Sequence, residues 1–145
     1  YAGNFNQMEV TAIHTNELLA GKEDNYFSDR EEYFLLASAP PVKMHFNVEY
    51  ATSKLNVNLR ANYFGAINLI NYSVEEYTYS PKTTLDASIG YDITSNMHLT
   101  IGGTNLLNTY PDDTDPYETE TGGAWDAVQM GFNGLFMYSK LGFKF

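Results

Sequence analysis

Three histidines, His14, His45 and His98, and three aspartates, Asp112, Asp113 and Asp115, are the side chains of this chain best suited to hold a metal ion or move a proton. Imidazole titrates near neutrality and ligates transition metals, and closely spaced carboxylates offer hard oxygen ligands to calcium. The spacing favours neither use. The histidines fall in three separate segments with no i, i+4 or Cys/His pattern, and the aspartates lack the glycine and the distal glutamate of an EF-hand loop. The aspartates stand as weak metal candidates beside the simpler reading of a solvated acidic loop. No Ser/His/Asp set, phosphate-cradling glycine loop or paired-carboxylate spacing is present, and the absence of Cys removes disulfides and thiolate chemistry. No enzyme activity and no cofactor is expected. Gly102-Gly103 and Gly122-Gly123 read as bends or close contacts in and beside strands.

The elements that carry these residues are extended. In residues 85–107, Leu85, Ala87, Ile89, Tyr91 and Ile93 alternate with Asp86, Ser88, Gly90 and Asp92. After Thr94, Ser95 and Asn96 the same parity resumes with Met97, Leu99 and Ile101. Side chains of a strand alternate between faces, so this is an antiparallel hairpin with one apolar and one polar face. Residues 42–51 alternate in the same way through Val42, Met44, Phe46, Val48 and Tyr50. After a tight connection at Thr52-Ser53, residues 54–69 continue through Leu55, Val57, Leu59, Ala61, Tyr63, Ile67 and Leu69. Residues 6–14 alternate loosely through Met8, Val10 and Ala12 and are expected to form a strand. The last strand is expected over 128–145, with Leu135, Met137, Leu141, Phe143 and Phe145 on one parity.

Between these segments the pattern stops. Of the 18 acidic residues, 14 lie in three stretches, 15–41, 71–81 and 109–127, and the net charge is −10. The first stretch ends in Pro40-Pro41, which cannot donate to a ladder and disfavours helix before it; a short helix over 16–22 is the competing reading inside it. Nucleic acid is excluded as a partner, because an acidic surface without a basic patch repels phosphate. The connections are alternately long (15–41, 71–81, 109–127) and short (52–53, 94–96), which in an up-and-down meander places every long one on one rim. No run approaches the ~18 consecutive apolar residues of a membrane helix. Long strands, apolar on one face and polar on the other, with short turns on one rim and long loops on the opposite rim, describe an outer-membrane β-barrel. An outer-membrane barrel enzyme is the alternative from another class, and a soluble β-sandwich binding module, with the apolar face as its core, a third. The chain begins with Tyr1 and shows no signal peptide, so it is expected to be a piece of something longer.

Residues 84–110, the loop after them and the final KLGFKF resemble the C-terminal end of TonB-dependent outer-membrane receptors. In that family an Asn-Leu-(aromatic or Leu)-Asn sequence shortly before Tyr-Pro marks the end of the penultimate strand; here it is Asn105, Leu106, Leu107, Asn108, Tyr110 and Pro111. Residues 30–64 are similar to preceding barrel strands. The resemblance implies a barrel of about 22 strands closed by an N-terminal plug, of which this chain would supply the last six strands. It implies uptake of a scarce small nutrient, of the iron-chelate, cobalamin or glycan/peptide classes, driven through a TonB-type energy-coupling protein. It also implies that the remaining barrel, the plug and the lipid bilayer are partners, that the acidic loops are extracellular, and that Leu141, Phe143 and Phe145 form a barrel-assembly signal.

Overall fold

A computed structural model describes residues 1–14, 16–37, 40–125 and 129–145. Its strands are β1 (Ala2–Phe5), β2 (Val42–Ala51), β3 (Leu55–Phe64), β4 (Ile67–Ile70), β5 (Glu76–Tyr79), β6 (Lys82–Thr94), β7 (Met97–Thr104) and β8 (Phe136–Phe143), and its helix is α1 (Asp29–Ala37). Six strands form one antiparallel sheet in the order β1-β2-β3-β6-β7-β8, and β4 and β5 form a separate two-stranded ribbon. The six-stranded meander expected from the alternation is therefore present. Its outer edges, β1 and β8, each pair on one side only, so the sheet is open.

The alternation becomes register. Val48, Leu59, Ala87, Gly103 and Met137 are successive partners across five strands, and Tyr50, Val57, Ile89, Ile101 and Ser139 form the next such row. One residue along, Glu49, Asn58, Ser88, Gly102 and Tyr138 make a row of the opposite parity. One face is thus apolar and the other polar across the whole sheet. Among the described residues no element packs over the apolar face: Phe46 and Met137 are each 59% exposed, Ile89 54% and Ile101 51%. The buried apolar cluster of Ala37, Ile67, Leu69 and Tyr79 lies elsewhere, between α1 and the β4–β5 ribbon. Burying a large aliphatic or aromatic side chain is worth about 1.5–3 kcal/mol, so a soluble sandwich would have put its core on the face left bare here.

The segments joining the sheet strands, 6–41, 52–54, 65–81, 95–96 and 105–135, alternate long and short, and the long ones leave from one rim. On that rim Phe5 pairs with Val42, Phe64 with both Lys43 and Lys82, and Thr104 with Phe136.

Four details depart from the expected pattern. The first strand is Ala2–Phe5 rather than 6–14, because its partner strand ends at Val42 and the preceding Pro41 has no N–H to continue the ladder. Asn6 instead closes the rim, its N–H donating to Pro41 O (2.9 Å) and its amide to Pro40 O (3.2 Å). The helix is Asp29–Ala37, while residues 16–22 form turns around the Asn16 side chain. At the start of that helix Glu31 makes its half of a capping box, its carboxylate accepting from the Ser28 N–H (2.8 Å) and from the Ser28 hydroxyl. The long strand over 54–69 divides at Gly65, whose N–H donates to Val42 O and whose missing side chain would otherwise sit 3.0 Å from that oxygen. Beyond the break β4 turns onto β5, so 71–81 is partly ribbon rather than loop. The last strand begins at Phe136; Val128, its expected start, lies outside the described residues, as do Thr15 and Asp126 of the acidic stretches.

Candidate functional site: an interlocked loop cap above a polar wall

The three long connections bind one another. From the first, the Tyr33 hydroxyl donates to Glu76 Oε1 of the second (2.8 Å), and Arg30 forms an ion pair with Glu120 of the third. The Arg30 guanidinium also lies 4.6 Å from the Phe34 ring and 4.2 Å from the Tyr72 ring, a cation–π clamp between two connections. Between the second and third, Ser73 donates through its N–H and hydroxyl to Glu118 (2.9 and 2.8 Å), and the Tyr79 and Thr114 hydroxyls are 2.9 Å apart. These contacts, with the Leu69 and Tyr79 cluster beneath them, make a cap on one rim. Donation to Glu76 pushes the Tyr33 hydroxyl above its ordinary pKa, and the Ser28 hydroxyl and N–H hold Glu31 below its own.

Two of the three aspartates that stood as weak metal candidates, Asp112 and Asp115, take part in local structure, and Asp113 lies between them. Asp112 accepts from the Ser80 N–H (2.5 Å) and pairs with Lys82, and the Asp115 side chain accepts from the Tyr117 N–H (3.0 Å) to cap a 3₁₀ turn, Pro116–Glu118. Burial pushes the Asp112 carboxyl up, but the bonds from Lys82 and Ser80 outweigh it and bring it down to about 2. Among the described residues no three His, Asp or Glu side chains gather to hold a metal, and neither His14, His45 nor His98 joins these aspartates.

The motif residues form a knot at the end of β7. Asn105, buried and at φ 50°, receives its place from four bonds. Its N–H donates to Asp86 Oδ1 (2.9 Å), its amide to Thr109 O (2.8 Å) and Asn133 O (3.1 Å), and its side-chain oxygen accepts from the Thr109 N–H (2.9 Å). Asparagine tolerates this left-handed backbone, and its amide both donates and accepts, so it ties the outgoing and returning limbs of the third connection to β6. Asn108, also left-handed at φ 51°, accepts from the Leu135 N–H (2.9 Å). The Leu106 N–H donates to Leu85 O, and Leu107 is exposed. Tyr110 stacks on Trp125, and Trp125 on Phe132, while Pro111 carries the chain on to Asp112. Gly134 makes room for this: a Cβ there would lie 1.9 Å from the Tyr110 hydroxyl.

Neither the family models nor the curated protein sequences match this chain. Solved structures do. The siderophore receptor PirA of Acinetobacter baumannii superposes with a TM-score of 0.54 over 74% of the chain at 14% identity. The ferric enterobactin receptor PfeA of Pseudomonas aeruginosa, solved with enterobactin, gives 0.51 over 71% at 17%, and the pyoverdine outer-membrane receptor FpvA of the same species, bound to pyoverdine, 0.55 over 75% at 17%. The fold is that of part of an outer-membrane β-barrel. The chain spans 16% of the length of each of these receptors.

As a barrel segment, the sheet turns its polar parity inward as a wall. A hydrogen-bond line runs along it beneath the cap: His45 Nδ1 to Asn62 Oδ1 (2.7 Å), and the Asn62 amide to Thr84 Oγ1 and Asp86 Oδ2 (both 3.1 Å). Asp86 then receives Asn105, joining the wall to the motif knot. At the opposite rim His98 lies between Asp92 (Nδ1 to Oδ1, 2.6 Å) and Thr100 (Nε2 to Oγ1, 3.1 Å). Neither line was singled out from sequence, although both follow from parity once the hairpins are paired. Leu141 and Phe143 lie on the apolar face opposite Leu99 and Met97, and Phe145 is fully exposed past the end of β8.

Proposed function

We propose that this chain is the C-terminal part of a TonB-dependent outer-membrane receptor that imports a scarce small nutrient, of the iron-chelate, cobalamin or glycan/peptide classes. The observation that carries the reading is the bare apolar face, continuous in register across five strands and bordered by three long connections on one rim. Lipid is the solvent such a face needs, and a closed barrel is the only sheet that satisfies its backbone there. Sheet order and the likeness to three siderophore receptors support the same conclusion. On this reading the remainder of the barrel, of about 22 strands, pairs with the open edges and a plug fills the interior. A TonB-type protein supplies energy through the N-terminal part, the capped rim faces the medium, and Leu141, Phe143 and Phe145 serve barrel assembly. The test is energised uptake in cells carrying the full-length protein. Radiolabelled ferric chelates, cobalamin and oligosaccharides are offered with and without a proton-motive-force uncoupler; uptake of one class that the uncoupler abolishes while surface binding persists is expected. Uptake unaffected by the uncoupler contradicts the reading. Tags inserted at Asp24 and Asp115 should be reachable by protease in whole cells; accessibility only after the outer membrane is broken reverses the topology.

A further inference from the structure

Charge is divided between cap and wall. The three long connections hold 15 of the 18 acidic residues against Lys22 and Arg30 only, whereas the six-stranded sheet and its short turns hold Glu49, Asp86 and Asp92 against Lys43, Lys54, Arg60, Lys82 and Lys140, with Lys144 just past the end of β8. The wall is therefore cationic, and its charges are unevenly matched. Each of its carboxylates has a protein partner: Glu49 accepts from the Asn56 amide (3.3 Å), Asp92 is bound to His98, and Asp86 accepts from Asn62 and Asn105. Among the described residues Lys54, Arg60, Lys140 and Lys144 make no side-chain hydrogen bond or ion pair.

Arg60 is the informative one. It is the direct cross-strand partner of Asp86 on one side and of Asn47 on the other. A carboxylate in that position would ordinarily take the guanidinium, but Asp86 turns its oxygens to the Asn62 amide (Oδ2) and the Asn105 N–H (Oδ1) and makes no bond to Arg60. Asn62 also holds His45 by its Nδ1, which fixes the ring. What remains is a basin of about 400 Å³ lined by Arg60, Asn47, His45 and Asn62, with Tyr1 and Ala2. Its free donors are the five N–H groups of Arg60 and the amide of Asn47, a fork suited to a planar anion.

We propose that Arg60 and Asn47 form a carboxylate-binding site on the inner wall, with His45 and Asn62 as its positioning residues. The site rests on the receptor reading above, because only a barrel interior brings an occupant to this wall. The carboxylate comes either from the part of the polypeptide outside these 145 residues or from a nutrient ligand in transit. Bidentate pairing to guanidinium is the same chemistry in both cases.

The test uses the full-length receptor in proteoliposomes, comparing wild type with Arg60→Gln, Arg60→Lys and the same-face control Asn58→Gln, each first shown to be a folded barrel by heat-modifiable migration. One arm measures leak of stachyose; the other measures binding of ferric citrate, a carboxylate chelate, and of ferrichrome, a hydroxamate. If the carboxylate belongs to the chain itself, Arg60→Gln leaks stachyose several-fold faster than wild type and Arg60→Lys falls between. If it belongs to a ligand, the pore stays closed and Arg60→Gln loses about tenfold or more in ferric citrate binding with ferrichrome unchanged. Arg60→Gln indistinguishable from wild type in both arms overturns the site and leaves the receptor reading standing. A wild-type protein that already leaks stachyose freely contradicts the receptor reading, and the site falls with it.

Discussion

The six-stranded sheet and the cap above it solve opposite problems with the same residue types. In the cap, Ile67, Leu69 and Tyr79 are buried as in any soluble protein, and charged side chains at the surface link one connection to the next. In the sheet the large apolar side chains point outward and stay exposed, while Asn62 and Thr84 are the buried ones. The cap buries its apolar side chains and the sheet leaves its own bare, so the two regions should fail independently and for different reasons.

The largest expected loss is in the cap. Leu69 is 0% exposed, so Leu69→Ala should cost about 2–5 kcal/mol of local stability, read as faster hydrogen exchange over 65–81 with the β6–β7 hairpin unchanged. Slowed or unchanged exchange would detach the cluster from cap stability. Leu59→Arg in the full-length protein strikes the other region, at about 2–4 kcal/mol if Leu59 meets lipid near mid-membrane, whereas Asn58→Arg on the inner wall should cost little. Equal losses for the pair would erase the distinction between the faces.

At the junction of the two regions, Asn105→Ala leaves the Thr109 N–H and the Asn133 carbonyl without their partner and should cost about 1–3 kcal/mol. Asn105→Gly, which suits the left-handed backbone but lacks the amide, should be no better than Ala if the side-chain bonds matter more than φ. A smaller, pH-dependent effect belongs to Asp112. Its pKa is depressed to about 2, so the Lys82 pairing contributes above the ordinary carboxylate value of 3.8 and is lost as pH falls from there through 2. Pepsin should cut 105–135 increasingly over that interval, and Lys82→Met should make cutting at pH 5 resemble that of wild type at low pH. Cutting that is flat with pH would remove Asp112 from the interlock.

The sheet was the legible part of this molecule. The face taken by Leu59 and by Ile89 follows from alternation alone, because parity fixes which side of the sheet a side chain occupies. The break at Gly65 was not legible, since Ile67 and Leu69 keep the parity of β3 while belonging to the ribbon. The helix did carry a sequence signal, Ser28 and Glu31 at capping-box spacing, that the reading of residues 15–41 did not use. Asn105 and Asn108 stood out as a motif, but their work as a knot requires Asp86 and Asn133, which only the folded meander brings near. The cap interlock was invisible for the same reason: Arg30 and Glu120 are 90 residues apart, and no local pattern predicts their meeting.

Leu59→Trp in the full-length protein, followed by denaturant unfolding from detergent or bilayer, tests most directly whether the apolar face meets lipid. Lipid yields to a larger side chain, so the midpoint should stay close to wild type even though Leu59→Arg lowers it strongly. A close-packed protein interior would not yield, and would lose about 1–3 kcal/mol to overpacking. A loss for Leu59→Trp comparable to that of Leu59→Arg would mean that the face is buried against protein, and the barrel would have to give way to a sandwich.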